Sequence, residues 1–126
     1  MVADNLACAN AMIAAYNAQD FALMESQIAA DVDFAHFNRN FALTSRDELM
    51  GVIRQFASDF FTDRHFEPAE RIIASGDIVV RIGWYVGTCA VDIEGFGKAG
   101  EAFRLKLCSV LRFDNAGIIV EWKDFG

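Results

Sequence analysis

Two titratable side chains, His36 and Asp124, occupy positions where alternation predicts buried surroundings. His36 follows Val32 and Phe34 at every second position of an extended segment, so the three share one face of the predicted strand. Asp124 lies in line with Trp122 in the same way. An imidazole and a carboxylate that face one interior can shift each other's pKa, as acid–base pairs do. We therefore predict that His36 and Asp124 transfer protons.

Each of these residues also has a purely structural interpretation. A buried carboxylate must be hydrogen-bonded, protonated or wet, and Asp124 is equally compatible with a solvated position at a frayed strand end. His36 is equally compatible with a hydrogen bond to a backbone carbonyl, because perturbed residues also arise in structural networks. The two interpretations differ in whether the side chains lie close together in a cavity.

The composition indicates one domain over residues 1–126 with a large apolar interior. Hydrophobic residues make up 54% of the 126, and twelve are Phe. No apolar run approaches the roughly 18 to 20 residues that a membrane span needs. The N-terminal residues lack the basic start and apolar core of a secretion signal, which predicts a cytoplasmic protein.

The net charge and the cysteine spacing argue against several kinds of partner and of metal or disulfide site. A net charge of −7 with only 11 scattered Lys and Arg residues argues against nucleic acid and anionic membrane as partners. Cys8, Cys89 and Cys108 have no CxxC spacing, which argues against a disulfide framework and a structural zinc site. The two histidines form no iron-binding pattern with spaced carboxylates, so we predict neither metal nor cofactor.

Helical periodicity dominates the first part of the chain. An apolar stripe that includes Tyr16 predicts a first helix, and Asp20 is placed to cap a short second one. Ser45 and Glu48 have the spacing of a capping box and open a third helix. The segment around Val32 to Phe37, between the second and third helices, reads as a strand.

Beyond Arg64 the apolar residues recur at every second position, which is the spacing of a strand with one buried face. Four strands are predicted, over residues 65–74, 77–88, 101–113 and 118–125. In the third of these, Ser109 is the one hydroxyl on an otherwise apolar face, and in the fourth Ile118 and Val120 align with Trp122 and Asp124. Helices followed by antiparallel strands predict an α+β domain with the helices on one face of a curved sheet.

The order of these elements resembles the SnoaL-like branch of the nuclear transport factor 2-like superfamily. The matching phrases are YNAQDFALMESQIAADVDF, LTSRDELMGVIRQF, ASGDIVVRI and LRFDNAGIIVEWKDF, which together cover most of the chain. The resemblance implies a cone-shaped barrel, with three N-terminal helices packed on a strongly curved, mostly antiparallel sheet. It also implies a pocket between helices and sheet, and a homodimer built on the outer sheet face.

Enzymes on this fold include ketosteroid-isomerase-like isomerases, limonene-epoxide-hydrolase-like hydrolases and polyketide cyclases. The resemblance implies that the position of the isomerases' base falls on His36, and that of the epoxide hydrolases' water-activating aspartate on Asp124. The Arg and second Asp of the hydrolases correspond to Ile82 and Trp84, so that triad is incomplete. The isomerases' oxyanion donors correspond to Met12 and Ser109, with Tyr16 one helical turn further on as a substitute donor.

Two functions follow from these residues. The first is an enzyme that transfers protons on a small apolar or aromatic metabolite, in an isomerisation, dehydration or cyclisation. Tyr16 and Ser109 would donate hydrogen bonds, and the apolar wall would comprise Met12, Phe34, Trp84 and Trp122. The second is a module that binds a hydrophobic ligand or dimerises without chemistry. The small subunit of an oxygenase is a further class that fold analogy alone would suggest.

Overall fold

The computed structural model describes residues 4–126, and its elements follow the predicted order. The helices are α1 (Asn5–Ala18), α2 (Phe21–Gln27) and α3 (Arg46–Gln55). The strands are β1 (Ile28–His36), β2 (Phe41–Leu43), β3 (His65–Phe66), β4 (Arg71–Ser75), β5 (Ile78–Thr88), β6 (Ala102–Phe113) and β7 (Ile119–Phe125). No helix in this part of the chain is both long and apolar enough to cross a membrane.

Side-chain caps fix the starts of α2 and α3, as predicted. Asp20 accepts a hydrogen bond from the Leu23 amide at 3.2 Å. The Ser45 hydroxyl accepts from the Glu48 amide at 3.2 Å and donates to the Glu48 carboxylate at 3.0 Å. A wider π-helical turn over Phe56–Phe60 then continues α3. This turn extends the apolar face of α3 towards the sheet.

The strands form one curved sheet in the order β2-β1-β7-β6-β5-β3, with β4 also paired to β5. The β1–β7 pairing is parallel and the other pairings are antiparallel. The sheet does not close on itself, so the barrel is open along its edges. The α+β prediction of three helices on a curved, mostly antiparallel sheet is therefore confirmed.

The division into strands differs from the prediction at two places. The predicted strand 65–74 is divided into β3 and β4, and Pro68 lies between them. Proline has no amide hydrogen to donate to a ladder, which explains the interruption. The short strand β2, which pairs with the end of β1, was not predicted because three residues carry too little periodicity.

The inward face of β7 also differs from the prediction. Ile118 and Val120 are half-buried, whereas Ile119 is buried. The register between β6 and β7 shifts by one residue at this point, which is a β-bulge. The bulge exchanges the faces on its N-terminal side, so the prediction for Ile118 and Val120 is wrong. Trp122 and Asp124 lie beyond the bulge and share the buried face.

Candidate functional site

A cavity of about 600 Å³ lies between α1, α3 and the buried face of the sheet. Aromatic and aliphatic side chains supply most of its wall. Two polar groups of the wall come from paired strands, His36 on β1 and Asp124 on β7, and two are the hydroxyls of Tyr16 and Tyr85. A mostly apolar cavity of this size with a few convergent polar groups is typical of small-molecule sites.

Asp124 is buried with hydrogen bonds to only one of its carboxyl oxygens. Its Oδ1 accepts from the Ser109 hydroxyl at 2.6 Å and from the Trp122 indole nitrogen at 2.8 Å. Its Oδ2 accepts no hydrogen bond from residues 4–126, although the side chain lines the cavity. Burial raises the pKa of Asp124, and the two donors and the charge of His36 offset that rise in part. The arrangement suits an oxygen that exchanges a proton with a bound molecule.

His36 lies directly beside Asp124 in the sheet. The two residues are register partners in the parallel β1–β7 pairing, so their side chains point to the same side. His36 is half-buried, and its Nε2 lies 3.3 Å from the backbone oxygen of Gly126. The tautomer with hydrogen on Nε2 donates there and leaves Nδ1 as an acceptor. The structure thus brings together the two residues that alternation selected.

Tyr16 of α1 and Tyr85 of β5 form a hydroxyl pair in the cavity wall, with their oxygens 2.8 Å apart. Burial raises the pKa of Tyr16 to about 12 and that of Tyr85 well above its usual value, so both are neutral donors. One hydroxyl hydrogen is used within the pair. The other has no acceptor among the described residues and is available to an oxygen of a bound molecule.

Sequence reasoning found Tyr16 but missed Tyr85, because it assigned the opposite face of β5 to the cavity. Trp84 lies on the outer face, where its indole donates to Glu70 at 2.9 Å and Arg104 stacks on its ring at 4.0 Å. The prediction of Trp84 as a wall residue is therefore wrong. Both faces of β5 are rich in apolar residues, so alternation did not distinguish them.

The same error affects the comparison with the epoxide hydrolases. Ile82 shares the outer face with Trp84, one residue out of phase with the cavity. The inward positions of this strand are Arg81, Gly83 and Tyr85.

Two further predicted residues do not line the cavity. Met12 is fully buried in the core between α1 and the sheet. Ser109 is buried and directs its hydroxyl to Asp124, so it contacts the carboxyl rather than the cavity. Phe34 and Trp122 do line the cavity and pack edge to face, with ring centroids 5.3 Å apart. The predicted wall is thus correct in position for these two aromatic residues.

The loop between β5 and β6 contributes a part of the cavity wall that periodicity did not predict. Arg39, which follows β1, donates from Nη1 to the Gly95 carbonyl at 2.8 Å. Its guanidinium also stacks on Phe96, 4.3 Å from the ring centroid. Glu94 lines the cavity beside them. Within residues 4–126, no three His, Cys, Asp or Glu side chains are grouped closely enough to hold a metal ion.

The sequence and the fold were compared with those of known proteins, and both have relatives. The sequence model of the SnoaL-like domain matches residues 9–122. A candidate polyketide cyclase from Xanthomonas campestris superposes with a TM-score of 0.82 at 16% identity, covering 97% of this chain and 89% of the other. An LEH-like epoxide hydrolase from M. tuberculosis gives 0.77 at 16% identity, covering 98% and 83%.

A third solved structure was crystallised with a small molecule. It is a protein with a ketosteroid isomerase-like fold from Catenulispora acidiphila, in complex with trimethylamine. It superposes with a TM-score of 0.76 at 18% identity, covering 94% of this chain and 84% of the other. Identities this low establish the shared fold alone. No functionally curated protein matches the sequence.

Proposed function

The chain belongs to the SnoaL-like domain family, and on that premise we propose that it binds a small, largely apolar molecule in the cavity and moves protons on it. The molecule carries a carbonyl or hydroxyl oxygen. The reaction is an isomerisation, a dehydration that releases water or a cyclisation that closes a bond within the molecule, since acid–base proton transfer promotes each of these without an oxidant or reductant. The proposal treats residues 1–126 as one domain that acts as a cytoplasmic homodimer.

The observation that carries this proposal is the arrangement of hydrogen bonds at Asp124. Ser109 and Trp122 hold Oδ1, while Oδ2 belongs to the cavity wall with no partner among residues 4–126. A carboxyl with a raised pKa accepts a proton from carbon more readily than an ordinary one, because its conjugate acid is more stable. Asp124 is therefore the base in the proposed reaction.

The remaining polar groups complete the proton transfer. Oδ2 of Asp124 takes a proton from the carbon next to a carbonyl, and the electron pair moves to the carbonyl oxygen. The Tyr16–Tyr85 pair donates its free hydroxyl hydrogen to that oxygen, which stabilises the enolate. The proton then passes from Asp124 to Nδ1 of His36, and His36 delivers it to a second carbon of the enolate, so that both residues return to their starting states. Each such contribution is worth about 10²- to 10⁴-fold in rate.

Deuterium exchange on a probe ketone tests this chemistry without knowledge of the natural substrate. The exchange of the α-hydrogens of 1-indanone in D₂O is followed by NMR with the purified full chain. We expect Asp124→Asn to slow the catalysed exchange by about 100-fold or more, because the amide keeps both hydrogen bonds but is not a base. We expect His36→Gln to cost less, since exchange needs only the first transfer.

Asp33→Asn is the matched control for Asp124→Asn. Asp33 lies on the outer face of β1, where it pairs with Lys123 at 2.7 Å, so its loss leaves the cavity unchanged. An exchange rate that stays at the buffer background with indanone bound would contradict the enzyme and favour the non-catalytic ligand-binding module. An Asp124→Asn variant as fast as the parent would assign the base elsewhere.

A further inference from the structure

Arg64 is a buried cation that the proposed reaction has not used. It is 1% exposed, and its guanidinium carbon lies 3.9 Å from the centroid of the Tyr16 ring. Its Nη1 donates to the Tyr16 carbonyl oxygen at 3.2 Å. Its Nε and Nη2 are buried and have no hydrogen-bond partner, and no carboxylate of residues 4–126 forms an ion pair with it.

A buried charge without a counter-ion is costly, so its position needs an explanation. Folding removes the guanidinium from water, and one carbonyl bond and one aromatic face return only part of that loss. The electrostatic benefit of such a cation is greatest for negative charge that develops nearby in a site of low dielectric. The Tyr16 hydroxyl, which belongs to the ring that Arg64 covers, is a group of the cavity wall that can host such charge on a bound oxygen.

We propose that Arg64 is a positioning residue that holds the Tyr16–Tyr85 pair ready for a negatively charged oxygen, so that the cavity selects enolate or phenolate oxygens over neutral ones. This inference rests on the proposed function and names the chemical class of its ligand. Arg64 acts through Tyr16 in two ways: it fixes the ring by stacking on it and holding the adjacent backbone, and it places a positive charge behind the hydroxyl pair.

The charges around the pair support this assignment. The positive charge of Arg64 lowers the pKa of both Tyr16 and Tyr85 against the effect of burial. The negative charge of Asp124 raises both, so proton uptake by Asp124 in the first step removes an opposing charge. The pair thus becomes a better host for an anionic oxygen at the moment when the enolate forms.

A second buried arginine provides a matched control. Arg81 is 5% exposed, donates to the Glu67 carbonyl and lies 5.2 Å from the centroid of the Phe66 ring. Arg64 is among the influences on the pKa of Tyr16 and Tyr85, and Arg81 is not. A substitution at Arg81 therefore removes a comparable buried cation that has the smaller influence on the hydroxyl pair.

The direct test replaces Tyr16 with 3,5-difluorotyrosine, a more acidic analogue, and follows its ionisation by ¹⁹F NMR in the ligand-free full chain. We expect Arg64→Gln to lower the ionisation constant at position 16 by about tenfold, which is one pKa unit. We expect Arg81→Gln to leave it unchanged. Equal ionisation constants in the Arg64→Gln variant and its parent would overturn the inference, whatever ligand the protein binds.

A second measurement tests whether the cavity prefers an anionic oxygen, by determining the anionic fraction of a bound phenol. Bound 2-naphthol is observed at pH 8 by absorption, since its neutral and anionic forms absorb at different wavelengths in the ground state. We expect the bound anionic fraction to fall several-fold in Arg64→Gln and to stay unchanged in Arg81→Gln. An unchanged anionic fraction in Arg64→Gln would count against the inference, whereas indanone exchange at background rate would count against the proposed function alone.

Arg64→Lys covers the case in which the glutamine variant does not fold. It keeps the charge but loses the planar stack and the fork of donors. In the Arg64→Lys variant, the ionisation constant of the difluorotyrosine at position 16 should lie between the values for the parent and for Arg64→Gln. A lysine variant identical to the parent in both ionisation and naphthol binding would overturn the positioning role.

Discussion

Asp124 holds its proton more tightly in the folded protein than in the unfolded chain. Burial is the largest influence on its pKa, and the bonds from Ser109 and Trp122 offset it only in part. For a carboxyl whose pKa rises on folding, the associated stabilisation is complete below the ordinary pKa of 3.8 and is lost as the pH rises through the raised pKa. Above that raised pKa, the ionised carboxylate therefore destabilises the fold.

The Asp124→Asn variant should remove this pH dependence. We expect the free energy of unfolding of the parent, relative to the variant, to fall with rising pH by about 1.4 kcal/mol for each unit by which the pKa is raised. Urea unfolding between pH 3.5 and 8 measures the difference. Ser109→Ala should extend the fall to higher pH, because it removes a donor that favours the ionised form. A difference that is constant across the range would contradict the raised pKa.

Sequence alone predicted the position of polar residues that stand out against an apolar strand face and line the cavity. His36 and Asp124 are polar groups on apolar faces, and their proximity follows from the pairing of β1 with β7. Tyr85 and Arg64 could not be found in this way. A tyrosine in an apolar strand looks like ordinary core, and an arginine after a helix looks like surface, until the contact with Tyr16 is known.

At the scale of elements, Asn17 fixes β3 against α1. Its side chain donates to the Phe66 carbonyl at 2.9 Å and accepts from the Phe66 amide at 2.8 Å, as a neighbouring strand would. Phe66 lines the cavity and packs on Tyr16, with ring centroids 4.9 Å apart. One asparagine thus places a two-residue strand that has little pairing of its own.

Asn17→Ala should cost about 1 to 3 kcal/mol in the free energy of unfolding, because two hydrogen bonds to a partly buried backbone are lost. Asn10→Ala is the control, since Asn10 is exposed on the same helix and its replacement should change stability by less than about 0.5 kcal/mol. Urea unfolding at one pH measures both. Equal stabilities for the two variants would show that Asn17 does not anchor β3.

The strands differ in whether the alternation of apolar residues predicts which face is buried. The alternation on β6 was predicted correctly because its outer positions include Arg104, Lys106 and Arg112, which mark the exposed face. β5 lacks such a contrast, and β7 contains a bulge that reverses its phase. Neither feature is visible in a single sequence, because a bulge changes the pairing rather than the composition.

At the scale of the whole molecule, we propose that the outer sheet face forms the interface of the expected homodimer. Ile73 on β4 is 53% exposed and pairs with Val80, so both belong to the face that lies away from the cavity. We expect Ile73→Glu to weaken dimerisation by at least about tenfold, as a charge would be buried in the interface. Sedimentation equilibrium measures the dissociation constant.

Leu23→Glu is the control for this substitution. Leu23 is also an exposed apolar residue, but it lies on α2, away from the sheet. Its replacement should leave the dissociation constant unchanged. A parent protein that sediments as a monomer, or an equal loss of affinity in both variants, would exclude the outer sheet face as the interface.

The parallel pairing of β1 with β7 has a kinetic consequence. His36 and Asp124 meet only through this pairing, and most of the chain lies between the two strands. Closing so long a loop has a large entropic cost before any contact is gained, and folds rich in such contacts fold slowly. During synthesis β1 is made long before β7, the strand with which it pairs in parallel. The surroundings of His36 and Asp124 are therefore among the last parts of the molecule to form, and the edge of β1 that pairs with β7 stays open until then.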